Sequence, residues 1–216
     1  MIVEIGAFAL ILSLILSVLQ TGASALARVR RAPVLAAVGE GAAIAAFFAL
    51  AVSFAALIYA FVVSDFSVAN VATNSHSAKP LLYRVGGAWG SHEGSMLMWC
   101  LALTGFGALL AGYGRGLSAG LKAVAVATQG SLGIAFLAYT VFASNPFWRL
   151  TDPPVEGRSL NPLLQDPALI LHPPFLYVGY VGLSVVFSLA IAALVEGRAD
   201  AAWARWVRPW TLAAWS

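Results

Sequence analysis

Three histidines, one cysteine and a few carboxylates beside apolar stretches are the residues of this chain whose types permit chemistry. The most specific segment is Leu169-Ile170-Leu171-His172-Pro173-Pro174-Phe175-Leu176-Tyr177. A residue that precedes proline is pushed out of the α region. The Pro173-Pro174 pair therefore predicts that His172 ends a loop and that an apolar helix restarts at Phe175. The positive end of a helix disfavours a second positive charge. This predicts a mostly neutral imidazole with a free nitrogen lone pair, held at the lip of a membrane crossing. A neutral, rigidly placed imidazole is what a haem iron takes as an axial ligand. Zinc is the weaker reading, because no second or third ligand stands at usable spacing. On geometry alone a capping or interfacial histidine explains the residue equally well, although ionisable groups at a membrane edge are often functional.

The other candidates are less specific. In Trp89-Gly90-Ser91-His92-Glu93-Gly94-Ser95 the glycines allow a tight path into an apolar stretch. Trp89 and Trp99 suit the headgroup belt. His92 and Glu93 are either members of a site or an interfacial histidine and a helix-capping carboxylate. His76 lies in a solvated loop. Cys100 reads as a small buried hydrophobe, and a lone cysteine permits neither an internal disulfide nor a cysteine-based metal cage. Tyr177, Tyr180, Ser184 and Ser188 form a polar stripe at helical spacing, beside a shallow surface at Gly179 and Gly182 where a helix or a flat ligand fits. Gly130 and Gly133 read as packing positions. Glu40 reads as a carboxylate snorkelling to the inner lip, and the Trp203, Trp206, Trp210 cluster as an inner interfacial anchor. His172 thus heads the cofactor-contact candidates, followed by Trp89, His92, Glu93 and Tyr177. No catalytic residue is assigned.

The elements that must position these groups follow from composition. Of 216 residues, 61% are hydrophobic and 10% charged, with mean hydropathy +0.87; a soluble domain has about 25% charged residues. That excludes an ordinary soluble enzyme, a disordered chain and a nucleic-acid binder. The expected fold is an all-α polytopic transmembrane helix bundle. A span needs about 20 apolar residues, and five stretches qualify: 5–27, 34–63, 95–113, 123–143 and 175–195. A sixth begins near Pro209, which reads as the N-terminal portion of a longer membrane protein. The first span has no basic run ahead of it, unlike a cleaved signal peptide. Arg28, Arg30, Arg31, Arg115, Lys122, Arg198, Arg205 and Arg208 fall on one side, so the positive-inside rule places that side in the cytoplasm. The N-terminus and loops 64–94 and 144–174 then face the periplasm. Short interfacial helices are expected in both loops. Asn161-Pro162 and Asp166-Pro167 each pair a capping side chain with proline at the first helical position.

Several blocks are recognisable as a set: Asp65-Phe-Ser, Asn74-Ser, Trp89-Gly-Ser-His-Glu-Gly-Ser95, Ser144-Asn-Pro-Phe147, Leu160-Asn-Pro-Leu-Leu-Gln-Asp-Pro167, His172-Pro-Pro-Phe-Leu-Tyr-Val-Gly-Tyr180 and Arg208-Pro-Trp-Thr-Leu-Ala-Ala-Trp215. In this order they resemble the start of the CcmF family of cytochrome c-type biogenesis proteins; the NrfE-type relatives share much of the pattern. The resemblance implies a bacterial inner-membrane protein that receives haem (b-type, as transferred substrate) from the chaperone CcmE. With CcmH, and in some systems CcmI, it attaches the haem to apocytochrome c in the periplasm. His172 matches the family's first periplasmic haem ligand. The Trp-rich WWD segment, the second periplasmic histidine and the paired transmembrane histidines of the family would lie beyond Ser216. At His76 the family more usually has Asn. The alternatives are a multi-span transporter or proton-coupled subunit without haem, which should show interrupted helices with polar groups at mid-membrane, and a purely structural scaffold.

Overall fold

The computed structural model describes residues 1–216 except residue 115, and except the side chains of residues 163 and 164. Arg115, counted above among the cytoplasmic cations, lies outside the described residues. The helices are α1 (Ile2–Arg30), α2 (Pro33–Val62), α3 (Ala69–Asn74), α4 (Leu81–Gly90), α5 (His92–Tyr113), α6 (Ala119–Phe142), α7 (Pro167–Glu196) and α8 (Ala201–Trp215), with a 3₁₀ turn at Pro162–Gln165 before α7. Five of them, α1, α2, α5, α6 and α7, are long and apolar enough to cross a membrane. They overlap the five predicted spans; α7 starts eight residues earlier than expected, and α2 and α6 each end one residue short.

The spans pack as α1 on α2 and α6, α2 on α5, and α7 on α5, α6 and α8. Large apolar side chains such as Phe8, Ile15, Phe48, Phe142 and Phe175 stay exposed, as a lipid-facing surface requires. Inside, Leu10, Leu50, Leu57, Phe61, Leu97 and Leu137 form one core. A second core joins Leu110, Val126, Val185, Leu189 and Val207 near the arginine-rich end. Gly130 and Gly133 admit α1, whose Gln20 and Ser17 lie against them, in keeping with a packing role.

One feature adds to the sequence reading and a second corrects it. The interior is not free of polar groups at mid-helix: Gln129 Nε2 donates to Leu103 O at 3.2 Å and to Ser184 Oγ at 2.9 Å, and Ser188 Oγ donates to Gln129 Oε1 at 2.8 Å. Gln20 Nε2 likewise donates to Val126 O at 2.9 Å. These groups are neutral and bond between helices, and the spans are unbroken. Glu40 does not snorkel alone; it pairs with Lys122 Nζ at 2.8 Å and ties α2 to α6.

The last helix also departs from expectation. Asp200 caps it by accepting from Trp203 N at 2.9 Å, so α8 starts at Ala201 and passes through Pro209 without restarting there. It folds back along α7, bringing Ala214 against Gly179 and Gly182. Those glycines receive a helix. The tryptophans are packing anchors rather than a free belt: Trp203 Nε1 donates to Leu189 O at 3.0 Å, Trp206 covers Gly116, and Trp210 packs on the second core.

Candidate functional site

Loops 64–94 and 144–174 meet at one end of the bundle, opposite the arginine-rich end. Ala69 N donates to Trp148 O and Leu150 N to Ser67 O, each at 2.8 Å, closing an antiparallel bridge between Val68 and Arg149. The Arg149 guanidinium joins both loops to α1 by pairing with Asp65 at 3.1 Å and with Glu4; these partners raise its pKa further. Further out, Ser77 N donates to Glu156 Oε1 at 2.9 Å and Arg158 N to Ala72 O at 2.7 Å. The Ser77 hydroxyl, with its backbone N–H, draws the Glu156 carboxyl down to about 2.

Helix α4, one of the short helices expected in the first loop, lies inside this layer. Arg84 Nη1 donates to Val62 O at 2.9 Å, fastening α4 to the end of α2. Ser91 then caps α5, its Oγ accepting from Gly94 N at 3.0 Å. Capping therefore belongs to Ser91, and Glu93, read above as a capping carboxylate, stands in the first turn with that task already done. Span three begins at His92 because this cap recruits three residues ahead of Ser95.

The His172 segment differs most from expectation. Asp166 Oδ1 accepts from Ala168 N at 2.8 Å and Leu169 N at 3.1 Å, with Pro167 at the first helical position. From there α7 is continuous through Pro173 and Pro174 to Glu196, where Gly197 closes it at φ 65°. His172 is inside the helix, in its second turn, not on an extended residue at its lip. The dipole acts mainly within the first turn, so the helix-end argument for a neutral ring loses its footing. The side chain is exposed, and among the described residues none hydrogen-bonds to it.

Continuity through two prolines leaves two carbonyls without their helical donor, those of Leu169 and Ile170, and α4 supplies a donor to the second. Pro174 has no N–H for the carbonyl four residues earlier, that of Ile170. Trp89 Nε1 donates to Ile170 O at 2.8 Å. The helices touch here because Gly86 has no side chain: a Cβ there would lie 1.9 Å from Ile170 Cδ1.

Beside this contact is a cavity of about 270 Å³, lined by Gly86, Trp89, Ser91, His92, Pro173 and Tyr177 among others. Three predicted candidates, Trp89, His92 and Tyr177, thus share one wall. Glu93 and His172 lie outside the lining, although His172 adjoins Pro173. His92 Nδ1 is 2.9 Å from Ser144 Oγ, and its ring meets Tyr139 edge-on at 6.1 Å. Tyr177 and Tyr180 pack on Trp99 at 5.5 and 5.6 Å, and Trp99 also meets Phe136. Cys100 is fully buried beside Thr140, as its reading predicts. Sequence reasoning missed Ser144 and the acceptor role of Ile170. Missing N–H groups at 173 and 174 announce that α7 carbonyls need an outside donor, but do not say which.

Comparison with known proteins adds independent findings. The profile described as "Cytochrome C assembly protein" matches residues 89–216. A cytochrome c-type biogenesis protein of Rhodobacter capsulatus is 57% identical over 100% of this chain and 33% of its own length. The CcmF protein of Pseudomonas aeruginosa is 47% identical over 100% and 33%, and the probable NrfE protein of Escherichia coli 43% identical over 80% and 31%. A solved structure of the cytochrome c heme lyase CcmF superposes with a TM-score of 0.85 at 26% identity, covering 100% of this chain and 34% of that one. The chain spans about a third of the length of these relatives.

Proposed function

The chain belongs to the cytochrome c assembly protein family, with relatives of the CcmF type, and from that premise we propose that it forms part of a haem-handling site for cytochrome c maturation. His172 offers the iron an axial imidazole. The observation that carries this reading is the state of His172: an exposed imidazole without a hydrogen-bond partner among the described residues, standing on a helix turn that α4 clamps from the side. No described group competes with iron for such a ring, and a fixed turn removes the reorganisation that ligation would otherwise need.

The surroundings fit a flat, largely apolar guest. Trp89, Pro173 and Tyr177 offer ring faces and His92 a polar edge. The cavity lies just under the usual range of small-molecule sites, about 300–1,000 Å³. It would hold an edge of the macrocycle against Trp89, Pro173 and Tyr177. Haem supplies the vinyl groups that the thiols of apocytochrome c take up. The chain's part is to ligate, to orient and to keep water from one edge. Cys100 has no part in this, being enclosed between α5 and α6. Glu93, in the first turn of α5, is assigned to the rim.

The same reading sets the chain in the bacterial inner membrane, with its N-terminus and the joined loops in the periplasm and the arginine-rich end in the cytoplasm. The haem chaperone CcmE, CcmH and, in some systems, CcmI are then the partners expected at the loop layer, with apocytochrome c as the acceptor. Haem retained by the protein with and without His172→Ala tests the assignment. Loss of haem on substitution supports ligation, and unchanged occupancy contradicts it.

A further inference from the structure

We propose that the indole N–H of Trp89 positions His172 through the backbone of α7, a task separate from the ring face that Trp89 turns to the cavity. The proposal rests on the ligand reading above and deepens it. Its basis is a donor–acceptor account of one helix turn. Pro174 leaves the Ile170 carbonyl without its helical donor, and the proline ring crowds that same carbonyl. An unbonded carbonyl at this depth is costly. The segment around His172 would relieve the cost by opening towards water, as the sequence alone predicts. The Trp89 indole N–H removes the part of that cost that falls on Ile170.

The donor is itself fixed. Arg84 ties α4 to Val62 O, and Gly87 rests against Phe61 of the core. The Ile170 side chain is fully buried against Gly86. The link from the α2 end through α4 to Ile170 therefore runs through packed or hydrogen-bonded groups, and His172 stands two residues further along α7. An indole committed to Ile170 O has no N–H left for a haem propionate, so the Trp89 face, not its nitrogen, borders the cavity.

The test uses the chain in lipid nanodiscs and hydrogen–deuterium exchange. Trp89→Phe keeps the ring and removes the donor. Amides of 168–176 should then exchange about fivefold faster, the effect of one net hydrogen bond, while those of 180–196 stay protected. Pro174→Ala supplies a helical N–H to Ile170 O, so adding it to Trp89→Phe should restore slow exchange at 168–172. Equal loosening with and without Pro174→Ala would overturn the proposal, because lost packing would then be the cause. Should Trp89→Phe fail to fold, recovery of folding by Pro174→Ala supports the proposal and continued failure contradicts it. Haem retention, read on residues 1–216 joined to the remaining two thirds of the Rhodobacter capsulatus relative, separates the two claims. Unchanged exchange and haem retention in Trp89→Phe, with haem lost in His172→Ala, removes the positioning role and leaves the ligand. Haem retained in His172→Ala, with Trp89→Phe still loosening α7, removes the ligand and leaves the clamp as a purely structural device.

Discussion

At the scale of single residues, the histidines differ by what their ring nitrogens already do. His76 is 3.8 Å from Glu156, and its Nδ1 accepts from Ala78 N. His92 shares Nδ1 with Ser144. His172 has no such commitment among the described residues. Iron ligation is assigned to it for that reason; His76 belongs to the architecture of the loop layer, and His92, held through Nδ1, lends the cavity a polar edge. Gln129 is the residue whose loss should be felt most in the interior, since it serves α5 and α7 from α6. Gln129→Leu should destabilise the bundle by about 1–2 kcal/mol, the upper part of the range for interhelical hydrogen bonds in membranes. A lowered midpoint of detergent unfolding would show it, with the haem spectrum unchanged.

At the scale of elements, α7 decides what was legible. Its apolar length and its Asp166-Pro167 start can be read from sequence, because capping and hydrophobicity are local. Its continuity across Pro173-Pro174 cannot, because the compensating donor, Trp89, is 81 residues away. The early start of α5 is legible in principle, because it depends on the local Ser91 cap, which stands beside the more conspicuous Glu93. Glu40 was misread for the non-local reason: Lys122 is on another helix. The contact between α4 and α7 predicts a steric complementation. Gly86→Ala places a methyl group where Ile170 Cδ1 and Cγ1 now stand, at 1.9 and 2.3 Å, and should speed exchange in 168–176. Ile170→Ala removes both atoms and opens a cavity. The double variant should be better protected than either single one, and an additive loss would place the contact elsewhere.

At the scale of the whole molecule, five spans put the loop layer at one end and the cations Arg28, Arg31, Lys122 and Arg198 at the other. Ion pairs bind that end together: Arg28 of α1 meets Glu196 of α7, and Lys122 meets Glu40. The sole cysteine is buried, so introduced cysteines report topology without a background. In spheroplasts a membrane-impermeant maleimide should label Ser77→Cys directly and Ala199→Cys only after permeabilisation; the reverse pattern would put the haem-facing end in the wrong compartment. The outer contact of Ser77 with Glu156 should survive mild acid. A carboxyl held at about 2 against an ordinary 4.5 contributes in full at neutral pH, less as pH falls below the ordinary value, and nothing below about 2. Protection of the Ser77 and Gly157 amides, which both donate to Glu156, should stay constant between pH 7 and about 5 once exchange is corrected for its intrinsic pH dependence.

The central claim is that His172 ligates iron, and an absorption spectrum tests it most directly. Residues 1–216 joined to the remaining two thirds of the Rhodobacter capsulatus relative, purified from haem-replete cells, should show a haem absorption band that His172→Ala reduces at least about tenfold, while residues 1–216 alone retain little haem because one imidazole holds iron weakly. A band of equal intensity and position in the His172→Ala protein would contradict the claim.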